Sequence, residues 1–306
     1  MLKKFTHVFV AFAVILSMTM ISVAATFETH QVFSTQALHE LEKNMGIETK
    51  PDSEVFTVTA NDDAVGFYYK ETQDTLSFTP LSTYALHNPQ TELIPIDDGF
   101  QVETIVVESD SYSDNGLGIS LPTNWTIDYA RDNNGNVSNG SLGIYDELGT
   151  AHAASGLPTV LDCMGNSVDA HFNLVGDKIV VEIESDQNTV YPLQINYGIY
   201  ALNPARGVTD YFRYAGFDRV YIGSLTLGPR YFDEGSSLLC ENAWAAVYKL
   251  FFPYSSYWTT STQTESMYNQ YNCHATFAKT KNDWNLEPWR PVVSWSDMIW
   301  HTCNPE

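Results

Sequence analysis

Residue types that could carry chemistry are concentrated between residues 270 and 291, in the sequence QYNCHATFAKTKNDWNLEPWRP. If this segment begins as a helix, Gln270 and His274 lie on one face, and Lys281 falls on the same face. Histidine titrates near neutral pH, so an imidazole that its scaffold holds in place can act as a general acid or base. The predicted catalytic residues are His274, as the general base, with Gln270 and Glu287.

The residues that follow His274 supply charge and aromatic surface. Lys281 and Arg290 are suited to hold an anionic group or a developing oxyanion, and Glu287 either orients the imidazole or pairs with Arg290. The same residues also fit a purely structural interpretation, in which the tryptophans pack in a core and the charges form a surface pair. The predicted ligand-binding residues are Lys281, Arg290, Trp284, Asn285 and Trp289.

Residues 1–25 have the features of a secretory signal peptide, with two lysines, an apolar stretch over 5–21 and small residues before Thr26. We expect a secreted, extracellular mature chain without a later membrane-spanning segment; an uncleaved anchor is the alternative. In that oxidising compartment Cys163, Cys240, Cys273 and Cys303 are expected to form structural disulfides, for which three pairings exist. No metal or cofactor is predicted, because the histidines are scattered and the sequence contains no C-x-x-C.

The formal charge of −22 is unevenly distributed along the 306 residues. Residues 26–207 carry 27 acidic and six basic side chains, a net charge of −21, whereas residues 208–306 have a net charge of −3. An acidic surface repels nucleic acid and anionic membranes, so neither is predicted as a partner. A cell-surface or cell-wall ligand remains compatible with this distribution.

Short segments with alternating apolar residues, separated by Gly, Asn and Asp, predict a mainly β N-terminal domain built as a sandwich or as stacked hairpins. A small disulfide-linked α+β domain is expected to follow it. We place the signal peptide at 1–25, a leader with a short helix at 26–53, the β-rich acidic domain at 54–207 and the α+β domain at 208–306. Strands are predicted at 55–59, 65–69, 75–79, 100–107, 116–121, 125–129, 178–183, 191–195 and 219–227, and helices at 34–45, 237–251 and 263–281.

Six of the seven tryptophans lie after Leu227, and we expect them to supply the core of the second domain. The β-rich domain has turn motifs at Tyr145-Asp146-Glu147-Leu148-Gly149, Asp162-Cys163-Met164-Gly165 and Tyr191-Pro192-Leu193. Residues 144–196 thereby resemble a module common in secreted proteins of Gram-positive bacteria. The resemblance implies that this module carries or presents the domain that follows it.

Several C-terminal motifs are distinctive, above all Asn285-Leu286-Glu287-Pro288-Trp289-Arg290-Pro291, together with Gln270-Tyr271-Asn272-Cys273-His274 and Cys303-Asn304-Pro305. They resemble a bacterial secreted family called domain of unknown function 2599. The family pattern includes Cys273 and Cys303 but not Cys163 or Cys240. The resemblance therefore implies a 273–303 disulfide and, by elimination, a 163–240 disulfide, and it implies no activity.

Three functions fit these features, and the sequence does not decide whether the protein is an enzyme. An extracellular effector or hydrolase requires His274, Lys281 and Arg290 to line one partly exposed pocket. A non-catalytic secreted module that binds a cell-wall glycan or a protein requires exposed tryptophan rings on an open face. A structural disulfide domain requires buried tryptophans.

Overall fold

The structure, a computed structural model, describes residues 31–33, 35–61, 63–81, 90–107, 116–131, 137–217, 222–227, 236–254, 258–278, 281 and 284–306. The predicted signal peptide lies outside these residues. Among them, no helix is long and apolar enough to cross a membrane.

The described residues form a long series of strands, which is followed by a shorter C-terminal series of helices and strands. In chain order they are β1 (Gln31–Phe33), α1 (Thr35–Asn44), α2 (Asp52–Val55), β2 (Phe56–Ala60), β3 (Val65–Tyr69), β4 (Thr75–Pro80), β5 (Gln90–Ile96), β6 (Gly99–Val106), β7 (Gly116–Ser120), β8 (Thr126–Arg131), β9 (Val137–Tyr145), β10 (Ala151–Ser155), β11 (Thr159–Leu161), β12 (Ser167–Val168), β13 (Ala170–Val175), β14 (Lys178–Ile183), β15 (Leu193–Ala201), α3 (Val208–Tyr211), β16 (Phe212–Phe217), β17 (Ile222–Leu227), α4 (Ser237–Phe251), a 3₁₀ turn (Phe252–Tyr254), α5 (Ser261–Phe277), β18 (Trp284–Leu286) and α6 (Trp295–Trp300).

The chain forms two compact units. The sandwich unit contains the described residues of 49–206 and 230–242, and the C-terminal unit contains those of 1–48, 207–229 and 243–306. The mainly β fold and the α+β character of the C-terminal region confirm the predicted fold class.

Two antiparallel sheets build the sandwich unit. One has the strand order β13-β14-β7-β4-β3-β2; in the other, the order β12-β11-β15-β10-β9-β8 is extended by β6 and β5 beside β15. Strand β6 shows why the sheets face each other: Phe100, Val102 and Val106 are buried, while Glu103 and Ile105 between them are exposed. This alternation gives each sheet one apolar face.

Aromatic rings join the two sheets across their apolar faces. Phe67 of β3 and Phe78 of β4 lie with their ring centroids 5.9 and 5.1 Å from Phe100 of β6. Phe172 of β13 lies 5.0 Å from Tyr197 of β15. Each fully buried side chain of this size stabilises the fold by about 1.5–3 kcal/mol. Because the two sheets share this core, the N-terminal domain is a sandwich rather than a set of stacked hairpins.

A cluster of charged side chains joins the beginning and the end of the 49–206 segment of the sandwich unit. Arg206 donates from Nε and Nη2 to the two carboxylate oxygens of Asp52, at 2.9 and 2.5 Å, and from Nη2 to Asp98 at 3.2 Å. Asn203 donates to the same Asp52 carboxylate at 2.9 Å. Arg206 and Asp98 are each only 3% exposed, so these charges depend on each other.

The C-terminal unit begins with the residues that precede the sandwich in sequence. Strand β1 pairs antiparallel with β16, with Val32 opposite Gly216, in a four-stranded sheet ordered β1-β16-β17-β18. In α1 the buried Glu42 accepts a hydrogen bond from the backbone of Val208 at 2.7 Å, and burial raises the pKa of its carboxyl group. A Cβ at Gly207 would lie 2.6 Å from this carboxylate, so a larger residue there would displace the Glu42 side chain.

Candidate functional site

Helix α5 positions the predicted site. Thr260 caps its first turn by accepting from the Gln263 backbone at 3.2 Å, and Gln263 returns a bond to the Thr260 backbone at 3.0 Å. The predicted helix end at 281 is wrong, because α5 ends at Phe277. The Ala278 carbonyl accepts from the Trp284 indole at 3.1 Å and from the Lys281 backbone at 3.0 Å, which turns the chain away from the helix axis.

Gln270 connects α5 to the backbone of the Glu287–Arg290 turn. Its side-chain amide donates to the Glu287 carbonyl at 3.0 Å and accepts from the Glu287 N–H at 2.9 Å. One turn earlier, Ser266 donates to the Arg290 carbonyl at 2.7 Å. Gln270 is fully buried and these bonds use both ends of its amide, so it holds the backbone in place.

Glu287 and Arg290 pair with each other, as one of the two predicted alternatives required. Arg290 Nη1 also donates to the carbonyls of Asn304 and Pro305, at 3.0 and 2.8 Å. Burial lowers the pKa of Arg290, and the charge of Glu306 opposes that change. The Arg290 guanidinium therefore fixes the C-terminal tail, and it also lies 4.6 Å from the Trp289 ring.

The predicted bond between Cys273 and Cys303 is confirmed, and it joins the middle of α5 to the residues after α6. Both cysteines and Met298 of α6 are buried in one apolar cluster, against which Val293 packs. We call this arrangement the C-terminal clamp: the disulfide, Gln270 and Arg290.

The predicted bond between Cys163 and Cys240 is wrong, because the two cysteines form no disulfide. Cys163 is exposed in the turn between β11 and β12, where the adjacent Asp162 holds the backbone of Asn166 at 2.8 Å. Cys240 lies in the first turn of α4. The pair was predicted by elimination, and that argument does not consider whether the two sulfur atoms lie close enough to bond.

His274 is buried and does not face solvent. Its side chain is completely buried, and its ring stacks on Trp284 with a centroid distance of 5.7 Å and an interplanar angle of 16°. Neither ring nitrogen has a hydrogen bond of normal geometry, although the Asn304 side chain lies close enough to favour the protonated ring slightly. Burial, reinforced by the charge of Lys281, lowers the pKa of His274 to about 4.

The structure thus brings Lys281 near His274, while Lys281 itself is exposed in the loop after α5. Glu287 is engaged with Arg290, and Asn285 lies in β18 opposite Ser224 of β17. The described residues do not place His274, Lys281 and Arg290 on a partly exposed pocket. Ser266 and Asn304 contribute to the surroundings of the clamp, and sequence reasoning missed both. Asn304 had a signal in the sequence, its place in the Cys303-Asn304-Pro305 motif.

The burial of His274 makes the stability of the C-terminal unit depend on pH. Its folded pKa of about 4 is below the 6.5 of an ordinary histidine, so the unfolded chain takes up the proton first as the pH falls. The stability contributed at neutral pH is therefore lost between about pH 6.5 and pH 4. We expect about 2 kcal/mol of loss at pH 5 from this residue, measured as the difference between the denaturant unfolding curves of the parent and His274→Phe. Parallel pH profiles for the two proteins would contradict this expectation.

The tryptophans divide into two groups. Trp244, Trp258 and Trp284 are buried, which confirms in part that this region draws its core from them, whereas Trp289, Trp295 and Trp300 are 55%, 44% and 84% exposed. Trp295 and Ile299 are four residues apart on α6, and the exposed Phe277 at the end of α5 lies 6.0 Å from the Trp295 ring. We call Phe277, Trp295 and Ile299 the aromatic face.

Fold and site together describe a β-sandwich followed by a small disulfide-clamped α+β region that exposes tryptophan rings. Residues 233–306 match the model of a family described as protein of unknown function (DUF2599). Uncharacterized proteins of Mycobacterium bovis and of two strains of Mycobacterium tuberculosis are each 40% identical to the chain over 69 residues, or 21% of this chain and 41% of each relative. The chain thus spans about two fifths of the length of the curated relatives it matches. No solved structure matches the chain.

Proposed function

We propose that this is an exported, non-catalytic binding protein whose C-terminal unit holds a cell-wall glycan against its aromatic face. The observation that carries the proposal is the exposure of Trp295 beside Phe277 and Ile299, next to helices that the Cys273–Cys303 disulfide links. Contiguous exposed apolar side chains mark binding sites, and a ring fixed before binding loses little conformational entropy.

The size and charge of the aromatic face favour a glycan over a protein. A standard protein interface involves about 20–30 residues on each side, far more than the three side chains of this face. Sugar rings can bind to a face of this kind, because the C–H faces of pyranoses pack flat against aromatic rings. The net charge of −3 over residues 208–306 also suits contact with the sugar rings of a glycan strand, which carry no charge themselves.

Export is supported by the N-terminal sequence and by cysteine chemistry. Residues 1–25 have the lysines, apolar stretch and small residues of a signal peptide. The Cys273–Cys303 disulfide is the kind of bond that persists in oxidising, extracellular compartments. Expression of the full chain, followed by N-terminal sequencing of the protein in the medium, tests export separately from binding.

Binding is tested by co-sedimentation with purified Gram-positive peptidoglycan, with chitin and cellulose as comparison glycans. Trp295→Ala is expected to weaken retention about 30-fold, the effect of losing a central aromatic anchor, and Trp295→Phe is expected to retain part of the affinity. Leu148→Ala is the matched control, because Leu148 is 85% exposed but lies in the sandwich unit. Equal retention of Trp295→Ala and the parent would refute the proposed face.

A further inference from the structure

His274 lies in α5 between two residues that contact or bond to the segment containing α6, namely Cys273 and Phe277. It precedes Phe277 by one helical turn, and it follows Cys273, whose disulfide holds the segment after α6. We propose that protonation of His274 loosens the packing of α6 on α5 and thereby releases the ligand in acid. This inference rests on the proposed function, because it concerns the regulation of the same face.

The path from His274 to the ligand runs through packed side chains. Phe277 contacts Trp295 of α6, and Met298 of α6 is buried against Cys273 and Cys303. These two contacts involve residues on either side of His274 in sequence, Cys273 and Phe277. A displacement of α5 at residue 274 therefore disturbs both of them. The aromatic face consists of residues from both helices, so its shape depends on that contact.

Protonation of His274 is unfavourable within the folded clamp. The ring is completely buried and its nitrogens have no hydrogen bond of normal geometry, so a second proton on the ring has no acceptor in good position. Among the described residues, the charged group that acts on the ring is Lys281, a like charge, and the polar group that acts on it is Asn304. The Glu287 carboxylate pairs with Arg290. The charged imidazolium is therefore accommodated only if the ring moves toward water.

The Cys273–Cys303 disulfide limits the extent of this change. It keeps the tail attached to α5 when the packing loosens, so return to neutral pH restores the face. Acid is accordingly expected to open the α5–α6 contact reversibly, without loss of the sandwich unit.

The experiment compares three full-length proteins at pH 7, 5 and 4: the parent, His274→Phe and His301→Gln. Peptidoglycan affinity and amide hydrogen exchange of α5 and α6 are measured for each protein. The parent and His301→Gln are expected to lose affinity at least about tenfold between pH 7 and pH 4. Their amide protection factors, corrected for the pH dependence of intrinsic exchange, are expected to fall in both helices. His274→Phe, which keeps a buried ring without a titrating group, is expected to show neither change. His301 is the matched control because it is an exposed histidine on the same tail.

The readouts separate the two proposals. Absence of glycan binding at every pH overturns the proposed function, while exchange of α5 and α6 still tests the switch. Binding and protection factors that do not change with pH in the parent overturn the switch alone, as does an equal acid response of parent and His274→Phe. If His274→Phe does not fold, histidine-selective NMR of the parent replaces it. Proton uptake by His274 must then coincide with the exchange transition, and a separation of the two overturns the switch.

Discussion

Arg206→Met is expected to destabilise the sandwich unit by about 3–5 kcal/mol, because it leaves the buried Asp98 carboxylate without its cation. Arg206 donates to both Asp52 and Asp98, and Asp98 is itself only 3% exposed. Methionine approximates the length of the arginine stem, so the expected loss comes mainly from the uncompensated charge. Denaturant unfolding followed by far-ultraviolet circular dichroism measures it, since strands dominate that signal.

Arg131→Met provides the matched control. Arg131 also pairs with an aspartate, Asp128, at 2.9 Å, but the two side chains are 49% and 45% exposed. Exposed pairs contribute about 0–1 kcal/mol, so this variant should unfold close to the parent. Adding Asp98→Asn to Arg206→Met should recover part of the loss. Equal midpoints for Arg206→Met and Arg131→Met would show that the buried cluster does not stabilise the sandwich.

Removal of the Cys273–Cys303 disulfide is the second large effect. The bond links residues 30 apart in sequence, and a closed loop of this length corresponds to about 3.5 kcal/mol of stabilisation in the chain-entropy model. Cys273→Ala combined with Cys303→Ala should therefore lower the unfolding free energy of the C-terminal unit by about 2–5 kcal/mol. Tryptophan fluorescence reports on this unit, because six of the seven tryptophans lie after residue 227.

Two comparisons isolate the disulfide from other effects of the substitutions. Cys163→Ala changes an exposed cysteine that forms no disulfide and should leave the unfolding curve unchanged. A reducing agent should shift the parent toward the double variant and should not shift the double variant further. A parent that is insensitive to reduction would show that the clamp holds without its covalent bond.

Local sequence patterns predicted much of the sandwich, because short-range alternation determines which face of a strand is buried. The strand predicted at 178–183 is β14 with the same bounds, and the helix predicted at 237–251 is α4. The sandwich strands missed by the prediction are β5, β9, β10, β11, β12 and β13. In β9 the alternation fails, because residues 141–144 are buried in succession. That run packs between β8 and β10, a position that no local pattern specifies.

Residue types indicated where the C-terminal site lies but not what each side chain does. Gln270, His274 and Arg290 do converge, yet Gln270 and Arg290 bind backbone groups and His274 is sealed against Trp284. The difference arises from partners far along the chain, namely the 287–290 turn and the 304–305 tail. Exposure likewise depends on tertiary packing, which is why tryptophans of one short segment divide between the core and the surface.

The pairing of β1 with β16 sets an order of assembly for a chain that is synthesised from its N-terminus to its C-terminus. Residues 31–33 find their partner strand at residues 212–217, after all the strands of the two sandwich sheets have been synthesised. The sandwich strands pair among themselves and need nothing from this later segment, so they can form first. The C-terminal unit must wait for the last cysteine, at residue 303, before its tail is locked. In the proposed export, this unit would therefore be completed only after residue 303 has passed through the translocation channel.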